Sequence, residues 1–166
     1  NNSSSGIATN YGSACTTCSY QVSITGSTIS NNQRSGVELA NLTAVTINNT
    51  IFSGNGSQAL WLRGSGSAAV RLIGATLTNN TFNSNASVGS LWLDGGTPLL
   101  SGNSGSGNTR NILGVFGTIT ETTTFPALPG LVYGLGVTAS APVTIQAGVI
   151  LKMPQVNYSA SSTFSG

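Results

Sequence analysis

The sequence predicts an all-β fold: a right-handed single-stranded parallel β-helix, or β-solenoid, with coils of about 23 residues and one longer coil. Two observations carry this prediction. Charged residues make up only 5% of the 166-residue chain, whereas hydrophobic residues make up 39% and glycine occurs 22 times. Short apolar-x-apolar triplets also recur between Gly, Asn and Ser at a period that is too short for helical repeats and that matches one turn of a solenoid built from strands.

The composition excludes several classes of protein. Ordinary soluble domains contain about 25% charged residues, so this chain must solvate itself with hydroxyl and amide groups instead. Its hydrophobic fraction is too high for a disordered Ser/Asn-rich tail. The five basic residues are scattered singly and form no patch for nucleic acid. No apolar run approaches the roughly 20 residues that cross a bilayer, so we expect neither a nucleic-acid partner nor membrane insertion.

The repeat becomes visible when the chain is aligned with itself. The first copy begins at Val22-Ser23-Ile24, the second at Val45-Thr46-Ile47 and the third at Ala75-Thr76-Leu77. Landmarks move by 23 residues from the first copy to the second and by 30 or 31 from the second to the third. The third coil is therefore predicted to carry an insertion around Val70 to Gly74. An alternative register makes Val70-Arg71-Leu72 a short strand of its own.

Equivalent apolar residues are expected to form buried columns. Successive coils stack at the interstrand spacing of ~4.8 Å, which brings the same position of each coil into contact. No single coil can bury its own apolar residues, but the stack buries them collectively. The predicted columns are Ile24, Ile47 and Leu77; Val37, Leu60 and Leu91; Leu39, Leu62 and Leu93; and Ile29, Phe52 and Phe82.

Asparagine also recurs at one coil position, as Asn32, Asn55 and Asn85. Asn is one of the few residues besides Gly that tolerate left-handed turn geometry, and its amide can bond the same group one coil further along. The spacing therefore predicts a structural Asn ladder inside a turn. The competing explanation is the general abundance of Asn in this chain.

Residues 45–56, Val-Thr-Ile-Asn-Asn-Thr-Ile-Phe-Ser-Gly-Asn-Gly, resemble the pectate-lyase-like right-handed parallel β-helix repeat family. Such repeats occur in large bacterial cell-surface and secreted proteins. The segments from Asn111 to Thr120 and from Pro142 to Lys152 resemble the junctions between blocks of coils in those proteins. The resemblance implies three parts: parallel β-helix coils over 1–108, a joint over 109–125, and the opening strands of a following β-helix unit over 126–166.

Many β-helices with this coil pattern cleave acidic polysaccharides, so catalysis needs a test against the residues present. Hydrolysis of a glycosidic bond uses two carboxylates that face each other, and a calcium-dependent lyase needs a cluster of oxygen ligands with a base. This chain has three acids, Glu38, Asp94 and Glu121, and no His. We therefore expect no enzyme activity, no catalytic residue, no metal site and no cofactor.

The motif Cys15-Thr16-Thr17-Cys18 has several chemical interpretations. A zinc site needs four ligands, and a thioredoxin-type redox site expects a βαβ context that is missing. A small disulfide loop that pins the start of the coils is the simplest interpretation. This cysteine pair, the low charge and the many Asn-X-Ser/Thr sites predict an extracellular or cell-surface location.

The outward face of the coils suggests a binding surface. Glu38, Trp61 and Trp92 are predicted to occupy the same coil position with their side chains pointing away from the core. Stacked exposed indoles form a flat apolar strip that can bind sugars or dock another subunit. Alternatively, the proline-containing segment 126–133 covers both tryptophans.

The sequence as a whole predicts a structural β-solenoid segment of an extracellular fibre, surface layer or stalk. Its expected partners are copies of itself, stacked head to tail, or flanking β-helix units. One alternative is a glycan-binding adhesin module that uses the tryptophan column to bind surface glycans. Another is a non-catalytic relative of polysaccharide-processing β-helix enzymes. Saturable binding to sugars would favour the first alternative.

Overall fold

The structure is a computed structural model that describes residues 2–9, 18–65 and 70–152 and the backbone of 164–165. The described residues form strands and turns, and they include no helix that could span a membrane. Their strands are β1 (Ile7–Ala8), β2 (Tyr20–Thr25), β3 (Thr28–Ser30), β4 (Val37–Leu39), β5 (Leu42–Asn48), β6 (Ile51–Ser53), β7 (Gln58–Arg63), β8 (Gly74–Thr78), β9 (Thr81–Asn83), β10 (Ser87–Asp94), β11 (Thr97–Leu99), β12 (Ser104–Ser106), β13 (Arg110–Ile119), β14 (Thr123–Phe125), β15 (Val132–Ala139), β16 (Val143–Ile145) and β17 (Phe164–Ser165).

Successive coils contribute strands to parallel sheets that run along the solenoid axis. Sheet A has six strands in the order β1-β4-β7-β10-β13-β15. Sheet B has the order β11-β8-β5-β2, and sheet C has the order β12-β9-β6-β3. A shorter sheet D, β14-β16-β17, follows them. The strand pairs of all four sheets are parallel, which confirms the predicted β-solenoid.

The repeat sets the register of sheets B and C. Strand β2 pairs with β5 through Ile24 and Ile47, and β5 pairs with β8 through Ile47 and Leu77. In sheet C, Ile29 pairs with Phe52 and Phe52 with Phe82. The rings of Phe52 and Phe82 stack with centroids 5.2 Å apart. Both predicted columns therefore lie in register and are buried in the core.

The longer coil arises from the connection between β7 and β8, residues 64–73. Residues 66–69 of it lie outside the described residues. The corresponding connection of the preceding coil, between β4 and β5, is only two residues long. Residues 70–72 do not form a strand, although Val70 and Leu72 are buried. The insertion therefore lengthens this connection and leaves the strands on either side in the stack.

On sheet A the third copy departs from the predicted columns. Leu91 was expected opposite Leu60, and Leu93 opposite Leu62. Instead, Leu60 pairs with Gly89 and Leu62 pairs with Leu91. Gly89 has a φ of 127°, and a Cβ there would overlap the carbonyl oxygen of Leu60. The prediction was therefore wrong by two residues. Because side chains in a strand alternate with a period of two, both registers turn the same residues towards the core, and the apolar pattern does not distinguish them.

Sheet A continues through the segment that the sequence marks as a joint. Strand β13 pairs with β10 on one side and with β15 on the other, in parallel. Sheet C, in contrast, ends at β12. The division into 1–108, 109–125 and 126–166 concerns units of a longer chain and stays a prediction. The disulfide between Cys15 and Cys18 also stays a prediction, because Cys15 lies outside the described residues.

The segment 126–133 packs inward. Leu128, Leu131 and Tyr133 are buried in the core cluster. The Tyr133 hydroxyl donates to the carbonyl oxygen of Pro126 at 3.1 Å, and its ring meets Phe125 edge to face. Burial raises the pKa of the Tyr133 hydroxyl above its usual range. These contacts anchor the segment to the core through Leu128, Leu131 and Tyr133, and Trp92 remains 48% exposed.

Candidate functional site

A ladder of buried asparagine side chains runs through one turn of the solenoid. The Asn32 Nδ2 donates to the Asn55 Oδ1 at 2.8 Å, and the Asn55 Nδ2 donates to the Asn85 Oδ1 at 2.8 Å. The Asn85 Nδ2 donates in turn to the Asn108 Oδ1 at 3.0 Å. The structure thus brings together Asn32, Asn55 and Asn85, and it adds Asn108 as a fourth rung. All four side chains are buried, so the ladder is structural.

The ladder also ties the backbone of neighbouring coils together. The Asn85 Oδ1 accepts from the backbone N–H of Asn55 at 3.1 Å, and its Nδ2 donates to the carbonyl oxygen of Phe52 at 3.0 Å. At its far end, the Asn108 Nδ2 donates to the Asn111 Oδ1 at 2.8 Å. Among the described residues, no buried side-chain nitrogen or oxygen lacks a hydrogen-bond partner.

A second ladder, which the sequence analysis missed, lies in another turn. The Asn80 Oδ1 accepts from the backbone N–H of Thr50, and the Asn80 Nδ2 donates to the Asn103 Oδ1, both at 3.0 Å. Asn80 and Asn103 are completely buried. Their separation of 23 residues equals the coil period and is the signal that points to them.

The predicted column of Glu38, Trp61 and Trp92 is only partly present. Glu38 lies opposite Trp61, but Trp61 lies opposite Ser90, and Trp92 lies opposite Arg63. The same two-residue offset between β7 and β10 that moves the leucines therefore moves Trp92 to the next outward position. Glu38 and Trp92 therefore do not occupy equivalent positions of sheet A. The Glu38 Oε2 instead accepts a hydrogen bond from the Ser5 hydroxyl at 2.9 Å.

Trp92 stacks on Phe116, a residue that sequence reasoning missed. Their ring centroids lie 4.7 Å apart with an angle of 27° between the planes. The Phe116 ring occupies space that side chains at Gly114 and Gly136 would fill, since a Cβ there would lie 2.5 and 2.7 Å from ring atoms. Gly114 pairs with Gly134, and Phe116 with Gly136. The absence of side chains at Gly114 and Gly136 therefore lets the Phe116 ring lie against sheet A.

A cleft opens beside this stack, lined by Trp61, Arg63, Gly64, Ser65, Trp92 and Asp94, with a volume of about 280 Å³. We call it the tryptophan cleft. The Arg63 guanidinium lies over the Trp61 ring, 4.7 Å from its centroid, in a cation–π contact. Both tryptophans of the chain therefore line one site, although they do not share a column.

The insertion between β7 and β8 holds one wall of the tryptophan cleft. The backbone N–H of Leu72 donates to the Asp94 Oδ2 at 2.9 Å, and the Arg71 Nε donates to the Asp94 carbonyl oxygen at 2.9 Å. A Cβ at Gly64 would overlap the Asp94 carboxylate. The absence of a side chain at Gly64 thus lets Asp94 sit against β7, and the insertion fixes its orientation.

The three acidic residues lie in three different parts of the fold. Glu38 is on β4, Asp94 ends β10, and Glu121 lies between β13 and β14. Within the described part of the chain, no group of three or more His, Cys, Asp or Glu residues could hold a metal ion. The arrangement can therefore offer a carboxylate singly, as a hydrogen-bond acceptor, at each of three separate places.

Two larger depressions, of about 650 and 570 Å³, share Thr109, Arg110 and Ile112 as walls. The larger also contains Lys152, and the smaller reaches Phe116. Neither was predicted from the sequence. Of these three cavities, the tryptophan cleft alone combines two aromatic side chains with charges of both signs. It is therefore the best candidate for a specific binding site.

Stacked parallel coils with internal Asn ladders define a parallel β-helix, here with an aromatic surface on one sheet. The family model described as "Right handed beta helix region" matches residues 5–146, and the chain belongs to that family. The resemblance to pectate-lyase-like β-helices is thereby confirmed. No curated protein and no solved structure matches the chain. The family includes enzymes and non-enzymes, so membership shows a solenoid module in general.

Proposed function

We propose that this chain is a non-catalytic structural segment of an extracellular fibre, surface layer or stalk. The observation that carries the proposal is the continuous Asn ladder, which joins neighbouring coils through buried, neutral hydrogen bonds. Only 5% of the residues are charged, so the stack relies on burial and neutral hydrogen bonds, which salt screens little. Such a rod keeps its shape in changing surroundings, as an extracellular support must.

The edge of sheet A supports the proposed assembly along the axis. The backbone N–H groups of Ile7 and Thr9 donate to the carbonyl oxygens of Gly36 and Glu38, so the N–H of Ala8 between them points to the other side of β1. Within the described ranges, β1 pairs with β4 alone. An open edge templates another strand, so a coil of a second copy or of a flanking unit extends the sheet head to tail.

Electron microscopy of the purified chain tests this assembly. We expect filaments whose axial repeat is close to the length of one coil stack. Ala8→Pro should convert them into single rods, because proline removes the outward N–H of an edge strand without breaking a bond to β4. Circular dichroism should show that the variant keeps its β structure. Wild-type material that stays as single rods at every concentration would contradict head-to-tail assembly.

A second candidate function, a glycan-binding adhesin module, is favoured by the aromatic surface. Trp92 is 48% exposed and is held in place by stacking on Phe116. Exposed aromatic rings on a rigid scaffold are suited to polar ligands that also have an apolar face, and sugars are of this kind. A rod that presents such a ring on a side face is able to bind surface glycans while its ends assemble.

Replacing Trp92 by alanine tests this function. We expect Trp92→Ala to abolish saturable binding on a glycan array and to leave the unfolding midpoint close to that of the wild type, since the side chain is half exposed. Tyr20→Ala is the matched control, because Tyr20 is a 40% exposed aromatic residue on sheet B, away from the cleft. Glycan binding that survives Trp92→Ala would rule out this surface.

A further inference from the structure

We infer that the tryptophan cleft binds a single neutral sugar ring, packed against the indole of Trp92 and held through its hydroxyl groups by Asp94 and Arg63. This inference rests on the proposed glycan binding and gives it a site and a ligand class. The volume of about 280 Å³ lies just under the roughly 300–1,000 Å³ of sites for drug-sized ligands. The cleft therefore suits one ring better than an extended chain.

The strand order determines which face of Trp92 is available. Trp92 is on β10, between β13 with Phe116 and β7 with Trp61. Phe116 covers the face turned towards β13. The opposite face is turned towards β7 and forms a wall of the cleft. An indole face carries partial negative charge, so it attracts the weakly positive C–H groups on the flat face of a pyranose.

The charges of the cleft favour a neutral occupant. Arg63 and Asp94 contribute one positive and one negative group. Their effects on an ion of either sign offset each other, because the Arg63 guanidinium, which lies over Trp61, repels the cation that Asp94 attracts and attracts the anion that Asp94 repels. Hydroxyl groups suit both residues, since a carboxylate accepts hydrogen bonds and a guanidinium donates them. Bonds to charged groups are also the stronger kind.

Asp94 is oriented before any ligand arrives. Its Oδ2 accepts from the Leu72 backbone, and its carbonyl oxygen accepts from Arg71. A side chain that is already ordered loses little conformational entropy on binding, and this raises affinity. The insertion between β7 and β8 therefore acts as the support of a binding residue.

Intrinsic fluorescence gives a direct test, because the only two tryptophans of the chain both line the cleft. The probes are neutral tetrasaccharides of gluco, galacto and manno configuration, with tetragalacturonate as the charged comparison. We expect a saturable change in tryptophan fluorescence with at least one neutral probe and binding at least about ten-fold weaker for tetragalacturonate. Tighter binding of tetragalacturonate, or no response to any neutral probe, would overturn the inference.

The variant Asp94→Asn separates the cleft from the wider function. Asparagine keeps an oxygen that can accept from Leu72, so the unfolding midpoint should stay near that of the wild type. Affinity for the neutral probe should fall about ten-fold or more, as expected when a charge-assisted hydrogen bond is weakened. If glycans bind on the array but neither this variant nor tryptophan fluorescence responds, only the inference fails. If no glycan binds the wild type, the proposed glycan function fails with it.

Discussion

Asn85→Ala is expected to lower the free energy of unfolding by about 4 kcal/mol, because each buried polar group left without a partner costs about 1–3 kcal/mol. The Asn85 side chain makes hydrogen bonds to the backbone of Asn55 and Phe52 and to the side chains of Asn55 and Asn108. Alanine removes all of them. Urea unfolding followed by circular dichroism measures the loss.

Asn83→Ala is the matched control in the same coil. Asn83 is only partly buried, and its Oδ1 accepts from the exposed Ser106 hydroxyl. Water replaces that bond in the variant, so the loss should stay below about 1 kcal/mol. Equal losses of unfolding free energy for the two variants would show that the buried ladder stabilises the fold no more than an exposed hydrogen bond does. A larger loss for Asn85→Ala alone supports the ladder as the internal support of the rod.

Gly89→Ala is expected to lower the free energy of unfolding by about 3 kcal/mol or more, or to prevent folding. Two effects act together. The φ of 127° lies in a region that side chains disfavour, which alone costs about 1–3 kcal/mol. The added Cβ would also overlap the carbonyl oxygen of Leu60, so β7 and β10 would have to separate. Thermal unfolding and the yield of folded protein measure the effect.

Gly74→Ala provides the comparison for this variant. Gly74 begins β8, a Cβ there would meet no atom within 4 Å, and its φ lies outside the left-handed region. Alanine at such a site typically stabilises a protein by about 0.4–1 kcal/mol, because it restricts the unfolded chain. If Gly89→Ala were as harmless as Gly74→Ala, the close approach of β10 to Leu60 would not be a constraint on the register of sheet A.

The coil period and the apolar triplets predict the fold, since each strand repeats the pattern of the one before. Ile24, Ile47 and Leu77 lie opposite each other because a constant spacing within the coil fixes their register. Asn32, Asn55 and Asn85 share one turn for the same reason. The spacing of residues within a coil is therefore sufficient to predict the register wherever successive coils have the same number of residues between equivalent positions.

The tryptophan cleft could not be derived in the same way. Alignment of two similar Leu-Trp-Leu triplets places Trp92 beside Trp61, but β10 pairs with β7 two residues out of that alignment, which moves Trp92 along the strand without changing its face. Phe116 was overlooked because its position depends on Gly114 of its own strand and on Gly136 of the neighbouring coil. Asp94 depends on a hydrogen bond to Leu72 in an insertion that lacks the repeat pattern. These contacts depend on the observed register of the strands and on the insertion, neither of which follows from aligning similar triplets.

The connection of residues 64–73 couples the tryptophan cleft to the core of the solenoid. It joins the end of β7 to the start of β8, and its described part buries Val70 and Leu72, while β7 pairs with β10 and β5 with β8. Leu72 belongs to the hydrophobic core cluster, and its backbone N–H donates to the Asp94 Oδ2. A substitution of Leu72 would therefore be pleiotropic: one change would disturb the packing of the core and the position of a cleft side chain together.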